Sequence, residues 1–224
     1  MADHLALDIE TVPAAELSEY SEAVQEKIQK KIARQQERNP DYNFQLFAST
    51  NGDFGKIVCL SMAYIKDEKI KLKSLYGTDE YKLLTEFNEI ARTVNKFIHY
   101  NGLGFDMPFI MQRMMHHGIR PSSPRMTNLR KFSTDPHFDL MMIYYNWDWS
   151  KIMSLGLLAE LHGMPSPKGD LSGDKVNEAF LNGEWKRIVR YCEFDTATTV
   201  NLWNKLYNYE PTIDVQNYEF SDAG

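Results

Sequence analysis

Four acidic residues and one phenol carry the chemistry that can be read from this sequence. Asp8 and Glu10 interrupt the apolar run Leu5-Ala6-Leu7-Asp8-Ile9-Glu10-Thr11, which reads as a buried strand. A strand alternates its side chains between two faces, so residues two apart project from the same face. Two half-buried carboxylates about 6 to 7 Å apart repel each other and are costly to desolvate unless a cation compensates them. Hard divalent ions, Mg²⁺ or Mn²⁺, prefer such oxygen ligands. Asp106 follows a break containing glycines, Asn101-Gly102-Leu103-Gly104, at the entrance of a helix. Asp195 stands four residues after Tyr191 inside a helix, so phenol and carboxylate share one helix face. Each acid also has an ordinary alternative. Asp8 ends the strand and Glu10 lies in a solvated turn before Pro13, Asp106 caps a helix, and Asp195 is a solvated helix residue paired with Arg187 or another base.

The elements that must position these groups follow from periodicity. Leu5 to Ile9 is the first strand. Between Ala14 and Arg38, Leu17, Tyr20, Val24, Ile28 and Ile32 recur at three- and four-residue intervals, which predicts an amphipathic helix. Its basic residues Lys27, Lys30, Lys31 and Arg34 either follow a phosphate backbone or form a solvated face balanced by Glu22, Glu26 and Glu37. An irregular linker from Asn39 to Gly55 leads to a hairpin, Lys56 to Ile65 and Lys69 to Tyr76. Asp79 caps a helix from Glu80 to Val94, Phe97 to Tyr100 is a strand, and Met107 to His117 is a helix with Pro108 in its first turn. Phe138 to Tyr145 reads as strand or helix, and the aromatics of Asn146-Trp147-Asp148-Trp149 as core, partner surface or base-stacking platform. Helices are expected over Ser154 to His162, Asp174 to Leu181 and Glu184 to Asn208, with a loosely ordered tail after Pro211. Early strands and late helices around a mixed sheet predict an α/β fold.

Composition narrows the function classes. With 224 residues, 43% hydrophobic and 25% charged, the chain resembles ordinary globular proteins and is expected to form one domain. No apolar run approaches the roughly 18 residues that cross a membrane, and Asp3 and His4 stand where a secretory signal would be basic, so a cytoplasmic protein is expected. Two cysteines, Cys59 and Cys192, give no disulfide framework. A net charge of −6 argues against a protein that coats nucleic acid nonspecifically, but not against one that grips a strand end. Gly102-Leu103-Gly104 lacks the third glycine of a dinucleotide fingerprint, which weighs against a nucleotide-dependent metabolic enzyme.

Asp-x-Glu on a first strand, Asn-x-x-x-Phe-Asp at a strand-to-helix turn and Tyr-x-x-x-Asp on a late helix appear in that order. This combination resembles the DEDD superfamily of 3′–5′ exonucleases, tyrosine subclass. Within it, Leu5 to Thr11 and His99-Tyr100-Asn101-Gly102-Leu103-Gly104-Phe105-Asp106 look most like the proofreading domains of family B DNA polymerases. The resemblance covers roughly Leu5 to Leu206. The histidine subclass has a histidine five residues before the last aspartate, and here that position is Arg190.

The resemblance implies a ribonuclease H-like fold, a mixed central β-sheet flanked by α-helices. It implies a single exonuclease domain over residues 1–210, with an insertion at 14–55 and a tail at 211–224. Asp8, Glu10, Asp106 and Asp195 would hold two divalent metal ions, with Asp8 bridging both and Glu10 and Asp195 near the one that carries the attacking water. Tyr191 would orient that water. Thr11 would help hold the terminal nucleotide, and Asn101 and Phe105 would border the strand end. Lys168, Arg113, Arg130 and Lys131 are candidate phosphate contacts or, alternatively, solvated surface residues. The expected activity is release of nucleoside 5′-monophosphates from the 3′ end of single-stranded DNA by a two-metal mechanism. The alternatives are an RNA 3′-end processing exonuclease and a noncatalytic nucleic-acid-binding module. Replication or repair proteins are the expected partners, and no membrane. Two departures from the family pattern are the long insertion and the lack of a following polymerase palm, which points to a free-standing nuclease.

Overall fold

The apolar strand that carries Asp8 and Glu10 lies inside a six-stranded sheet, paired on both sides. A computed structural model describes residues 3–164 and 171–222. In chain order the elements are β1 (His4–Pro13), α1 (Glu22–Gln36), α2 (Phe44–Ser49), β2 (Gly55–Lys66), β3 (Lys69–Tyr76), α3 (Glu80–Ala91), β4 (Lys96–His99), α4 (Asp106–His116), α5 (Pro124–Thr127), β5 (His137–Asp139), α6 (Leu140–Tyr144), α7 (Leu155–Leu161), α8 (Val176–Leu181), α9 (Trp185–Tyr207) and β6 (Tyr218–Glu219). The strand order is β5-β4-β1-β2-β3-β6. The β1-β2 and β2-β3 pairs are antiparallel, and the β1-β4, β4-β5 and β3-β6 pairs are parallel. This is the mixed sheet flanked by helices that the sequence predicts.

Alternation along β1 divides the core. Leu5, Leu7 and Ile9 pack with Leu84 and Phe87 of α3 and with Met107, Ile110 and Met114 of α4. Ala6 packs with Ala197 and Val200 of α9, and Val12 with Ile188, Val189 and Cys192. Asp8 and Glu10 therefore face α9, in the middle of an otherwise apolar contact.

The described structure refines several expected elements. The amphipathic segment begins with a short 3-10 turn, Leu17–Glu19, before α1, and the linker after it contains α2. Ile28 and Ile32 pack on Phe47 of α2, with Leu17, Val24, Tyr42, Phe44 and Phe54 around them, so this segment has a small core of its own. Its basic side chains lie on the exposed face, where Lys30 pairs with Glu26 at 2.6 Å. The ambiguous run Phe138 to Tyr145 is both strand and helix, β5 passing directly into α6 with Asp139 as the helix cap. The tail after Pro211 is not loose throughout. Tyr218 is buried and pairs with Ile70, which adds β6 to the edge of β3. Among the described residues no helix is long and apolar enough to cross a membrane.

Candidate active site

The site lies where β4 stops before its neighbour does. β1 pairs with β4 only as far as Ala6 opposite Ile98, so Ile9 N–H has no strand partner on that side. The Asp106 Oδ1 accepts it at 3.1 Å. The helix-cap reading of Asp106 gives way here: Asp106 is the first residue of α4, Phe105 holds the cap position, and the Asp106 carboxylate reaches across to β1. The backbone between β4 and α4 is tightly folded to bring it there. Asn101 has φ +71, a left-handed conformation that asparagine tolerates better than most residues. A Cβ on Gly102 would lie 2.4 Å from the His99 side chain, and one on Gly104 would lie 2.5 Å from Asn101 Oδ1. Larger residues at either glycine would push the loop away from β1.

A carboxylate that the sequence analysis did not single out holds this loop. Asp139 is fully buried and accepts from Asn101 N (3.0 Å), Leu103 N (2.9 Å) and Met142 N (3.3 Å). It links the loop before Asp106 to the start of α6. The signal was present in His137-Phe138-Asp139, an acid ending an apolar strand as Asp8 does, but nothing local reveals its partners.

α9 closes the site from the other side. Ile188, Val189, Cys192, Thr196 and Ala197 are buried, while Tyr191 and Asp195 stand half-buried on its flank. Cys192 Sγ donates to Asp8 O at 3.4 Å and to Asp8 Oδ2 at 3.5 Å. Donor atoms of Asp8, Glu10 and Cys192 lie within 4.8 Å of one another. Tyr191 interacts with Asp195, whereas Arg187, the alternative partner considered for Asp195, pairs with Glu184 at 2.7 Å.

The four carboxylates resist ionisation together. Burial raises Asp8 well above the usual carboxylate range, with the Asp106 and Asp195 charges adding to it and the Cys192 hydrogen bond opposing it. Burial and then the charges of Asp8 and Asp195 raise Glu10 well above its ordinary value. Burial lifts Asp106 to about 7 although its own and Ile9's backbone N–H groups favour the charged form. Burial likewise lifts Asp195 to about 7 against the Tyr191 hydrogen bond. Glu10 is 7% exposed, and among the described residues its carboxylate has no hydrogen-bond or ion-pair partner. Among the described residues Asp8 and Glu10, with Cys192, have donor atoms close enough to hold a metal ion, and the charges of Asp106 and Asp195 beside them favour a cation there.

These shifts fix a pH dependence. A carboxyl lifted to about 7 keeps its proton where the unfolded chain, at 3.8, has lost it. Its contribution to stability is present at low pH and is lost as pH rises through about 7. A divalent cation bound by these carboxyls would displace those protons, so its apparent affinity is expected to rise between about pH 5.5 and 8, with proton release at the acid end. Calorimetry at pH 6 in buffers of different ionisation enthalpy measures the release. Heats independent of buffer would contradict the assignment.

A groove of about 390 Å³ opens over Asp8 and Asp195, walled by Tyr100, Asn101, Met141, Ile152, Met153, Ser154 and Leu155. Of the residues expected to hold the terminal nucleotide or border the strand end, Asn101 lines this groove. Thr11 is buried one residue past Glu10, after a bulge, and donates its hydroxyl to Ser49 O at 2.5 Å, pinning the end of α2 beside the site. Phe105 packs on Phe109 within the α3/α4 core. Arg113 is not a free phosphate contact: it is 4% exposed and its guanidinium is bound to Glu80 and Gly52 O. Arg130 and Lys131 are exposed, and Lys168 lies outside the described residues. The groove walls from Ile152 to Leu155 carry no motif that sequence reasoning could have picked out.

The family B DNA polymerase of the hyperthermophilic archaeon Pyrobaculum calidifontis has a similar fold, with a TM-score of 0.60 and 20% identity over 91% of this chain. The match takes in 24% of the polymerase, so this chain spans about a quarter of its length. Among curated proteins no sequence matches significantly. The family described as predicted 3′–5′ exonuclease related to the exonuclease domain of PolB matches residues 50–223, a stretch that includes Asp106, Tyr191 and Asp195 and begins after Asp8 and Glu10. The match spans most of the chain, and the chain therefore belongs to that family of PolB-related 3′–5′ exonucleases.

Proposed function

We propose that this chain removes nucleotides from the 3′ end of single-stranded DNA as nucleoside 5′-monophosphates, using two divalent ions, Mg²⁺ or Mn²⁺. Asp8, Glu10, Asp106 and Asp195 would hold the ions. The observation that carries this reading is the close approach of Asp8 and Glu10 on one face of β1, where burial and the neighbouring charges of Asp106 and Asp195 disfavour their ionised forms. Bound there, the ions supply charge neutralisation for a phosphodiester and activation of the attacking water.

The chain's own residues do the rest. Burial, together with the charges of Asp195, Glu10 and Asp8, pushes the Tyr191 phenol above its ordinary value of 10.0, so it stays protonated at neutral pH and serves to orient water rather than to remove its proton. Asp106 keeps the strand end in register through Ile9 N–H, and Asp139 keeps Asn101 at the groove wall. The groove, of a size suited to a small ligand, takes the terminal nucleotide against Tyr100, Met141 and Met153.

The test is digestion of 5′-labelled single-stranded DNA and matched RNA with Mg²⁺, Mn²⁺ or chelator, with Asp195→Ala as control. A metal-dependent ladder shortening from the 3′ end, faster on DNA and absent in the variant, is expected. A faster ladder on RNA would move the substrate assignment to RNA, and binding without cleavage would favour the noncatalytic module. Substrate KM is expected to rise with salt, because exposed Arg130 and Lys131 would meet the phosphate backbone. A KM unchanged between low and high salt would count against phosphate gripping by these residues.

A further inference from the structure

We propose that Cys192 gives the acidic centre a second metal-binding mode, in which its thiolate joins Asp8 and Glu10 to capture a thiophilic divalent cation of the Zn²⁺ or Cd²⁺ class in competition with the hard ions. The proposal rests on the reading of this centre as a divalent-metal site and adds a ligand to it. Cys192 lies on the face of α9 turned toward β1, fully buried, with Sγ 3.5 Å from Asp8 Oδ2. The three donor atoms lie within 4.8 Å of one another. Ligands of a tetrahedral zinc at about 2.0 to 2.3 Å stand about 3.3 to 3.8 Å apart, so the set closes on an ion with shifts of about an ångström. Glu10, 7% exposed and without a hydrogen-bond partner among the described residues, faces the same space.

Ligand chemistry separates the two modes. Mg²⁺ and Mn²⁺ take oxygen and leave a protonated thiol where it is, hydrogen-bonded to Asp8. Zn²⁺ and Cd²⁺ take sulfur readily. On their binding the S–H bond breaks, the proton passes to water or buffer, and a sulfur–metal bond forms with no change of oxidation state. An ion so held occupies Asp8 and Glu10, the residues assigned to the hard ions, and therefore blocks the nuclease centre. Cys59, opposite Glu10 on β2, is the neighbouring thiol and provides the control.

The full chain, stripped with chelator, is titrated with Cd²⁺ while the ultraviolet thiolate-to-cadmium charge-transfer band is followed. Mn²⁺ binding is followed by electron paramagnetic resonance in parallel. The expected result is a band that saturates with one Cd²⁺ per chain and displaces bound Mn²⁺. Cys192→Ser should lose the band and weaken Cd²⁺ binding by about tenfold or more, while Cys59→Ser keeps it. X-ray absorption of the Zn²⁺-loaded wild-type chain needs no variant, and should find one sulfur at about 2.3 Å among oxygens. A shell with two sulfurs or none, or a band that survives Cys192→Ser and vanishes in Cys59→Ser, overturns the proposal. Mn²⁺ binding without a Cd²⁺ band overturns it alone, whereas failure of both ions to bind removes the metal reading as well. A Cd²⁺ band that obeys the variants without Mn²⁺ binding keeps Cys192 as a ligand but overturns the proposed competition, and removes the hard-ion assignment.

Discussion

Asp8→Asn is expected to lower the rate of metal-dependent 3′ shortening by about a thousandfold or more, the equivalent of about 4 kcal/mol of barrier. The same change should make the metal-free protein more stable. Asp8 lies in a cluster in which burial comes first and the Asp106 and Asp195 charges second in disfavouring its ionised form. An amide keeps the side chain's shape and removes a charge that the fold has nothing to balance until a cation arrives. Gains of about 1 kcal/mol are usual when a strained functional group is neutralised, and they correspond to about 2 to 4 °C in a chain of this size. Melting with chelator at pH 8 separates this from a structural defect. A variant that melts lower than wild type there would show that the carboxylates are not in conflict, and retained activity would remove Asp8 from the centre.

The second large effect lies behind α4, away from the groove. Glu80 is 6% exposed and accepts from Ile57 N at 2.7 Å, Arg113 Nη2 at 2.7 Å and Nε at 3.0 Å, and His117 Nε2 at 2.8 Å. Burial by itself would raise this carboxyl, but the hydrogen bonds from Arg113, Ile57 and His117 outweigh it and hold Glu80 below its ordinary 4.5. Its contribution is present above that unfolded value and is lost as pH falls through the folded one. Glu80→Ala leaves the Arg113 guanidinium buried with Gly52 O and strands the Ile57 N–H, a loss of about 3 to 5 kcal/mol. The melting temperature should fall by about 10 °C or more. Because α4 begins at Asp106, activity should fall with it near the melting range and recover on cooling. Replacing both partners with Met should restore much of the stability, since a buried pair exchanged for apolar volume is often close to neutral. A single variant that melts within about 2 °C of wild type would mean that the pair contributes little.

The two clusters show what kind of information each level holds. Glu80 reads in sequence as an unremarkable residue in the first turn of a helix, and Arg113 as a surface base available to phosphate. Neither residue's neighbours in the chain reveal that the two meet, because the meeting depends on how α3 and α4 lie against β2. The segment over residues 14–55 is similar. Its helical face is legible in the spacing of Val24, Ile28 and Ile32, but the attachment beside the site, Thr11 to Ser49 O, follows from a bulge and a loop path that no local pattern encodes.

By itself the sequence determined the parts of the centre that are separated by one strand pleat or one helical turn. Asp8 and Glu10 had to share a face of β1, and Tyr191 and Asp195 a face of α9, because backbone geometry fixes side-chain direction over such distances. It also determined the α/β character and the β2-β3 hairpin. Tertiary structure alone decided that β4 stops short beside β1, so that Asp106, 97 residues from Ile9, takes over a strand's hydrogen bond. It alone placed Asp139 under the loop and Cys192 against Asp8. The physical reason is that a buried hydrogen bond goes to whichever group the sheet order and helix packing bring within about 3 Å, and that choice is made between segments far apart in the chain.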